Sequence, residues 1–195
     1  MAANTALLGV PAWSAAALLV LVSAAAVTDV RRRRIPNWLT YPAILLGLAG
    51  HALVGGLYGS GEQPGLSGAA AGLAVGSLPL LLCWLAGGIG GGDVKLMGAI
   101  GALGGWRLCI GAMLYGFIVA ALMAIVVMVH KRVVWRTLRR VLHTMALLVT
   151  PGARPADPTS PDSPRIPFAA ALCAGTAAAI ISSALKSGLG QMLFE

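Results

Sequence analysis

Charge disappears from this sequence for long stretches. Between Pro11 and Thr28, Trp38 and Tyr58, Leu66 and Leu85, Leu108 and Val129, and Ile166 and Leu185 there is no Asp, Glu, Lys or Arg. A shorter run, Val94 to Trp106, holds only Lys95. Such runs have no face to offer water. In a bilayer, a segment of ~20 residues must satisfy its own backbone hydrogen bonds, and an α-helix does so. The sequence predicts an all-α, polytopic membrane protein with about six transmembrane helices. Composition agrees, with 58% hydrophobic and 10% charged residues where soluble domains carry about 45–50% and 25%. A soluble enzyme, a disordered tail and a β-barrel are excluded. The first run resembles a signal peptide around Ala24–Val27, but it lacks a basic n-region and Arg31–Arg34 follow it as an anchor. It reads as a retained helix.

Every base except Arg107 and Lys186 falls after an odd-numbered run: Arg31–Arg34, then Lys95, then the stretch from Lys131 to Arg165. The positive-inside rule places those loops in the cytoplasm and the N-terminus outside. The net charge of +8 therefore marks topology and contact with anionic lipid, not nucleic acid. Within 131–149, Val134, Leu138, Val141 and Met145 recur at helical spacing opposite Arg132, Arg136, Arg139 and His143. This predicts an amphipathic helix in the cytoplasmic interface, bound to anionic lipid. Residues 150–165, rich in proline, read as a cytoplasmic linker, and 1–195 as a single integral-membrane domain. Cys83, Cys109 and Cys173 lie singly in apolar runs and read as small buried hydrophobes. His51, His130 and His143 are not at ligand spacing. Neither a metal site nor a cofactor is expected.

Six carboxylates remain. Glu62, Asp157, Asp162 and Glu195 fall in loops, the linker or the terminus. Asp29 and Asp93 instead abut apolar runs, where an acid is costly and marks a functional site. Asp29 has a simple alternative in pairing with Arg32 or Arg33, and Asp93 has one in capping the fourth helix. Yet both belong to the same membrane face. Carboxylates that meet share one proton, leaving one as general base for water and the other as general acid toward a carbonyl. The arginines favour Asp29 as base and Asp93 as acid. Gly87 to Gly92, with Ile89, is too glycine-rich for a stable helix and reads as unwound backbone lining a cavity, where a substrate strand can approach.

These residues resemble the motifs of a known family. Asp29 followed by Ile35-Pro36-Asn37 resembles the first signature of the type IV prepilin peptidases. Gly90-Gly91-Gly92-Asp93-Val94-Lys95 is similar to their GxGD motif, and Ile166-Pro167-Phe168-Ala169 to the start of their last helix. The resemblance implies a GxGD-class aspartyl endopeptidase in the bacterial cytoplasmic membrane. Asp29 and Asp93 would be catalytic, with Gly90, Gly91, Gly92, Lys95, Pro36 and Asn37 in support. Its substrates would be prepilins or pseudopilins of a type IV pilus or protein secretion system, cut at the cytoplasmic face after a short basic leader. Asn37 is expected to cap the second helix, with Trp38 and Tyr41 as interfacial anchors. The paired CxxC insert of larger, N-methylating members is missing, so the chain resembles the short, peptidase-only forms of tight-adherence (Flp) systems. Two other readings fit some of these features: a small proton-coupled transporter and a non-catalytic assembly component of a pilus or secretion machine.

Overall fold

The computed structural model describes residues 10–32, 34–59, 64–87, 89–132, 134–135, 139 and 168–193. Five long helices follow in order among the described residues: α1 (Ala12–Arg32), α2 (Asn37–Gly55), α3 (Leu66–Leu85), α4 (Gly91–His130) and α5 (Phe168–Leu193). There is no strand among the described residues, and α1 to α4 are each long and apolar enough to cross a membrane. The protein is an all-helical membrane protein. Two compact units are distinguished: residues 1–119 with 167–195, and residues 120–166. In the second, the end of α4 closes through Lys131 and Arg132 N–H groups donating to the Val127 and Val129 carbonyls. Most of the expected interfacial helix at 131–149, and all of the linker at 150–165, lie outside the described residues.

Among the described residues five helices stand where about six transmembrane helices are expected, because 94–106 and 108–129 run together in α4. Their join is not helical: Gly105 has φ 72° and ψ 172°, a conformation open essentially to glycine alone. A methyl in place of the Gly76 hydrogen would meet the Met97 carbonyl oxygen at 2.5 Å and Cys109 Sγ at 2.9 Å. In a straight helix those two residues would be about 18 Å apart. The chain therefore doubles back at Gly105, and both arms of α4 pass Gly76 of α3.

The arm before Gly105 is the centre of its unit. Leu96, Met97, Ala99, Ile100, Ala102 and Leu103 are fully buried, so this arm is enclosed on all sides. α1 contributes Leu18, Leu21, Val22 and Ala25, a stripe at three- and four-residue spacing, and packs against α5 and α2. α2 contacts α4 through Gly47, where an added methyl would lie 2.7 Å from the Ala102 carbonyl. Gly72 and Gly101 bring α3 and α4 into direct backbone contact, as small residues do in membrane helix pairs. Near the reversal, His51 is buried and its Nε2 lies 2.8 Å from the Leu103 carbonyl oxygen. A carbonyl only accepts, so Nε2 carries the proton. This bond occupies a carbonyl in the last turn before the break, where helical partners run out. Away from the face of Thr40, Gly47 and His51, α2 exposes Leu45, Leu46 and Leu53, as a lipid-facing wall does.

Candidate active site

Three chain segments far apart in sequence converge where α1 ends and α4 and α5 begin. The first is 29–37. α1 runs on through Asp29 to Arg32, beyond the Thr28 limit that apolarity suggested. Asp29 is thus held in the last turn of a packed helix, half-buried. Pro36, with φ −75° and ψ 143°, then fixes an extended entry to α2.

The second segment is 87–95. Gly87 has φ 78°, and residues 89 and 90 are non-helical, as expected of the glycine run. Gly91 and Gly92, however, already belong to the first turn of α4. Asp93 is therefore not a cap: its N–H donates to the Gly90 carbonyl at 3.1 Å, and its carboxylate sits in the first turn of α4. The glycines serve close approach. A methyl on Gly92 would be 3.2 Å from Ile35 Cβ, and one on Gly91 would be 3.3 Å from Trp84 Nε1. Ile35 of the first motif thus lies directly on Gly92 of the second.

The carboxylates of Asp29 and Asp93 lie within electrostatic reach of one another, and both are only half-buried. The third segment, the start of α5, completes the arrangement: the Ala169 N–H donates to Asp29 Oδ2 at 3.2 Å. The N-terminus of α5 thus faces the Asp29 carboxyl group. Among the described residues this is the partner Asp29 takes, and Arg32 is not one; Arg33 lies outside the described residues. Phe168, beside Ala169, tilts against Phe117 with ring centroids 6.0 Å apart.

Lys95 and Asn37 join the first two segments a second time. Lys95 Nζ donates to Asn37 Oδ1 at 3.0 Å and lies 5.2 Å from the Tyr41 ring centroid, within cation–π range. The expected Asn37 cap is absent. Asn37 is the first residue of α2, no side-chain bond caps that helix, and its amide oxygen is taken by Lys95. Trp38 and Tyr41 are exposed as expected of interfacial anchors, at 69% and 49%. Sequence reasoning missed the Ala169 N–H and the Lys95–Asn37 bond. A lone base in an otherwise uncharged run was the available signal for the second. Among the described residues, no group of His, Cys, Asp and Glu could hold a metal ion.

In chemical terms the arrangement is a pair of interacting carboxylates at one end of a helical bundle, one of them bonded by a helix N-terminus, beside glycines that let other chains approach. No curated protein and no solved structure matches the sequence. The type IV leader peptidase family does, over residues 16–125, a span running from α1 into the second arm of α4 and containing both aspartates. The chain belongs to the type IV leader peptidase family.

Proposed function

We propose that this protein is a membrane aspartyl endopeptidase. It removes the basic leader from type IV prepilins or prepilin-like proteins at the cytoplasmic face, with Asp29 and Asp93 as its catalytic pair. The observation that carries this reading is the convergence of the two carboxylates, one from α1 and one from α4, within each other's field.

Asp29 Oδ2 accepts the Ala169 N–H, a bond that a carboxylate makes better than a carboxylic acid, and this supports Asp29 as the base and Asp93 as the acid. Asp29 takes a proton from water, and the hydroxide oxygen bonds to the scissile carbonyl carbon. Asp93 passes its proton to the carbonyl oxygen, giving a neutral diol. Collapse of the diol breaks the C–N bond as a proton moves to the departing amine, and the pair returns to its single shared proton. Gly90, Gly91 and Gly92 leave room for an extended substrate, while Pro36, Asn37 and Lys95 fix the entry of α2 against that of α4.

The remaining features are proposed on sequence grounds. The two arms of α4 count as separate spans, giving six with α5. The base distribution puts the N-terminus outside. Residues 131–149 lie as an amphipathic helix on anionic lipid. Residues 1–195 act as one peptidase domain without N-methyltransferase activity. The test is cleavage of a prepilin-type substrate with a basic leader ending in Gly, by purified enzyme in liposomes, read by product mass. Wild type is expected to cut after the Gly, and Asp29→Asn and Asp93→Asn are each expected not to. Full cleavage by either variant overturns the reading.

A further inference from the structure

The four-arginine run is more than a topological marker. Between α1 and α2 the structure has a cleft of about 340 Å³. Arg32, Arg34, Thr28, Asn37 and Trp38 are among its lining residues. No carboxylate contributes to that lining, and among the described residues neither guanidinium has an ion-pair partner. The Lys95 bond also fixes the Asn37 amide. With Oδ1 accepting from Nζ, the amide nitrogen is the group left to serve the cleft, and it only donates. Arg32, Arg34 and Asn37 thus line one cleft, and their guanidinium and amide N–H groups are a donor set suited to an oxyanion and above all to the planar, forked recognition of phosphate.

The location indicates where that phosphate comes from. Trp38, in the cleft wall, is 69% exposed, and Tyr41, one turn on, is 49% exposed. Val27 and Val30, flanking Asp29 on α1, are also exposed. Aromatic rings and bases above an apolar wall sit at headgroup depth in a bilayer. We infer that the Arg32–Arg34–Asn37 cleft binds the phosphate of an anionic phospholipid, as a defined site separate from any lipid contact of residues 131–149. One consequence rests on the proposed peptidase reading: a bound phosphodiester beside Asp29 offsets the positive field that a basic leader would meet at the arginines.

The test reads binding rather than cleavage, so its failure is distinct from failure of the peptidase reading. Full-length protein in a neutral detergent is titrated with phosphatidylglycerol or phosphatidylcholine, and retained lipid is counted by native mass spectrometry. Phosphatidylglycerol is expected to bind about tenfold more tightly, as one to two bases near a headgroup predict. Arg32→Gln/Arg34→Gln is expected to lower by one the number of phosphatidylglycerol molecules retained, leaving any held by residues 131–149; Asn37→Asp is expected to weaken that one site by adding an anion to the cleft, and Arg107→Gln to leave the count unchanged. Millimolar inorganic phosphate is expected not to displace the lipid. An unchanged number of retained phosphatidylglycerol molecules in the double arginine variant overturns the inference. So does displacement by free phosphate, which would make the ligand a soluble anion.

Discussion

The first arm of α4 is held by different means at its two ends. At Gly91–Lys95 the contacts run through chemically distinct groups: the field between Asp93 and Asp29, the Lys95–Asn37 hydrogen bond, and Ile35 resting on Gly92. From Met97 to Gly105 the contacts are backbone on backbone. Gly47 faces Ala102, Gly72 faces Gly101, and Gly76 faces Met97. On the proposed reading one end carries the chemistry on a half-buried surface, while the other supplies rigidity through close approach. A substitution at the first should change rate with little change in stability, and one at the second the reverse.

The largest effect is expected at the carboxylates. Asp29→Asn or Asp93→Asn keeps the size of each side chain but removes the proton transfer, lowering single-turnover cleavage about 10²- to 10⁴-fold. The melting temperature in detergent should stay near wild type, because both residues are only half-buried. A large drop in melting temperature would show that the acids serve stability and would erase the contrast between the ends. Next comes Gly76→Val. Its side chain has no room between the Met97 carbonyl and Cys109 Sγ, and the expected cost is about 3 kcal/mol, read as a lowered melting temperature.

Gly105→Ala is smaller. The substitution forces an L-residue to φ 72° and ψ 172°, at about 1–3 kcal/mol, and a melting temperature equal to wild type would contradict the reversal at that position. The smallest effect belongs to the bridge between motifs. Lys95→Met and Asn37→Ala should each slow cleavage less than about tenfold, in keeping with one exposed hydrogen bond. The double variant should be no worse than either single one. Additive losses would mean that the two residues act separately.

How much was legible in the sequence follows the same division. α3 was read as Leu66–Leu85 and is found with those bounds, since apolarity starts and stops sharply there. α1 was read as ending at Thr28 because charge begins at Asp29. The helix continues to Arg32, where bases complement the dipole of its last turn. Hydropathy marks the edge of a bilayer, not the end of a helix. α2 was read as reaching Tyr58, but Gly56 at φ 64° stops it at Gly55.

The candidate site was legible where residues are contiguous. Asp29 to Asn37 and Gly90 to Lys95 stand out as short patterns, and the structure brings them together. What joins them was hidden: Lys95 and Asn37 are 58 residues apart and Ala169 is 140 from Asp29. A backbone N–H leaves no trace in residue identity. The capping alternative for Asp93 falls for a related reason, because Gly90, three residues earlier, supplies the carbonyl that begins the helix. The glycines of the bundle middle read only as packing residues, and which carbonyl each one faces emerges from the three-dimensional pairing alone.

The central claim is that Asp29 and Asp93 act as one unit, and the most direct measurement compares single-turnover cleavage by the two single Asn variants with that by Asp29→Asn/Asp93→Asn. Groups that share one proton give strongly non-additive losses, so the double variant is predicted to be no slower than the slower single one. Losses that multiply, or a single variant that cleaves at the wild-type rate, would contradict the account.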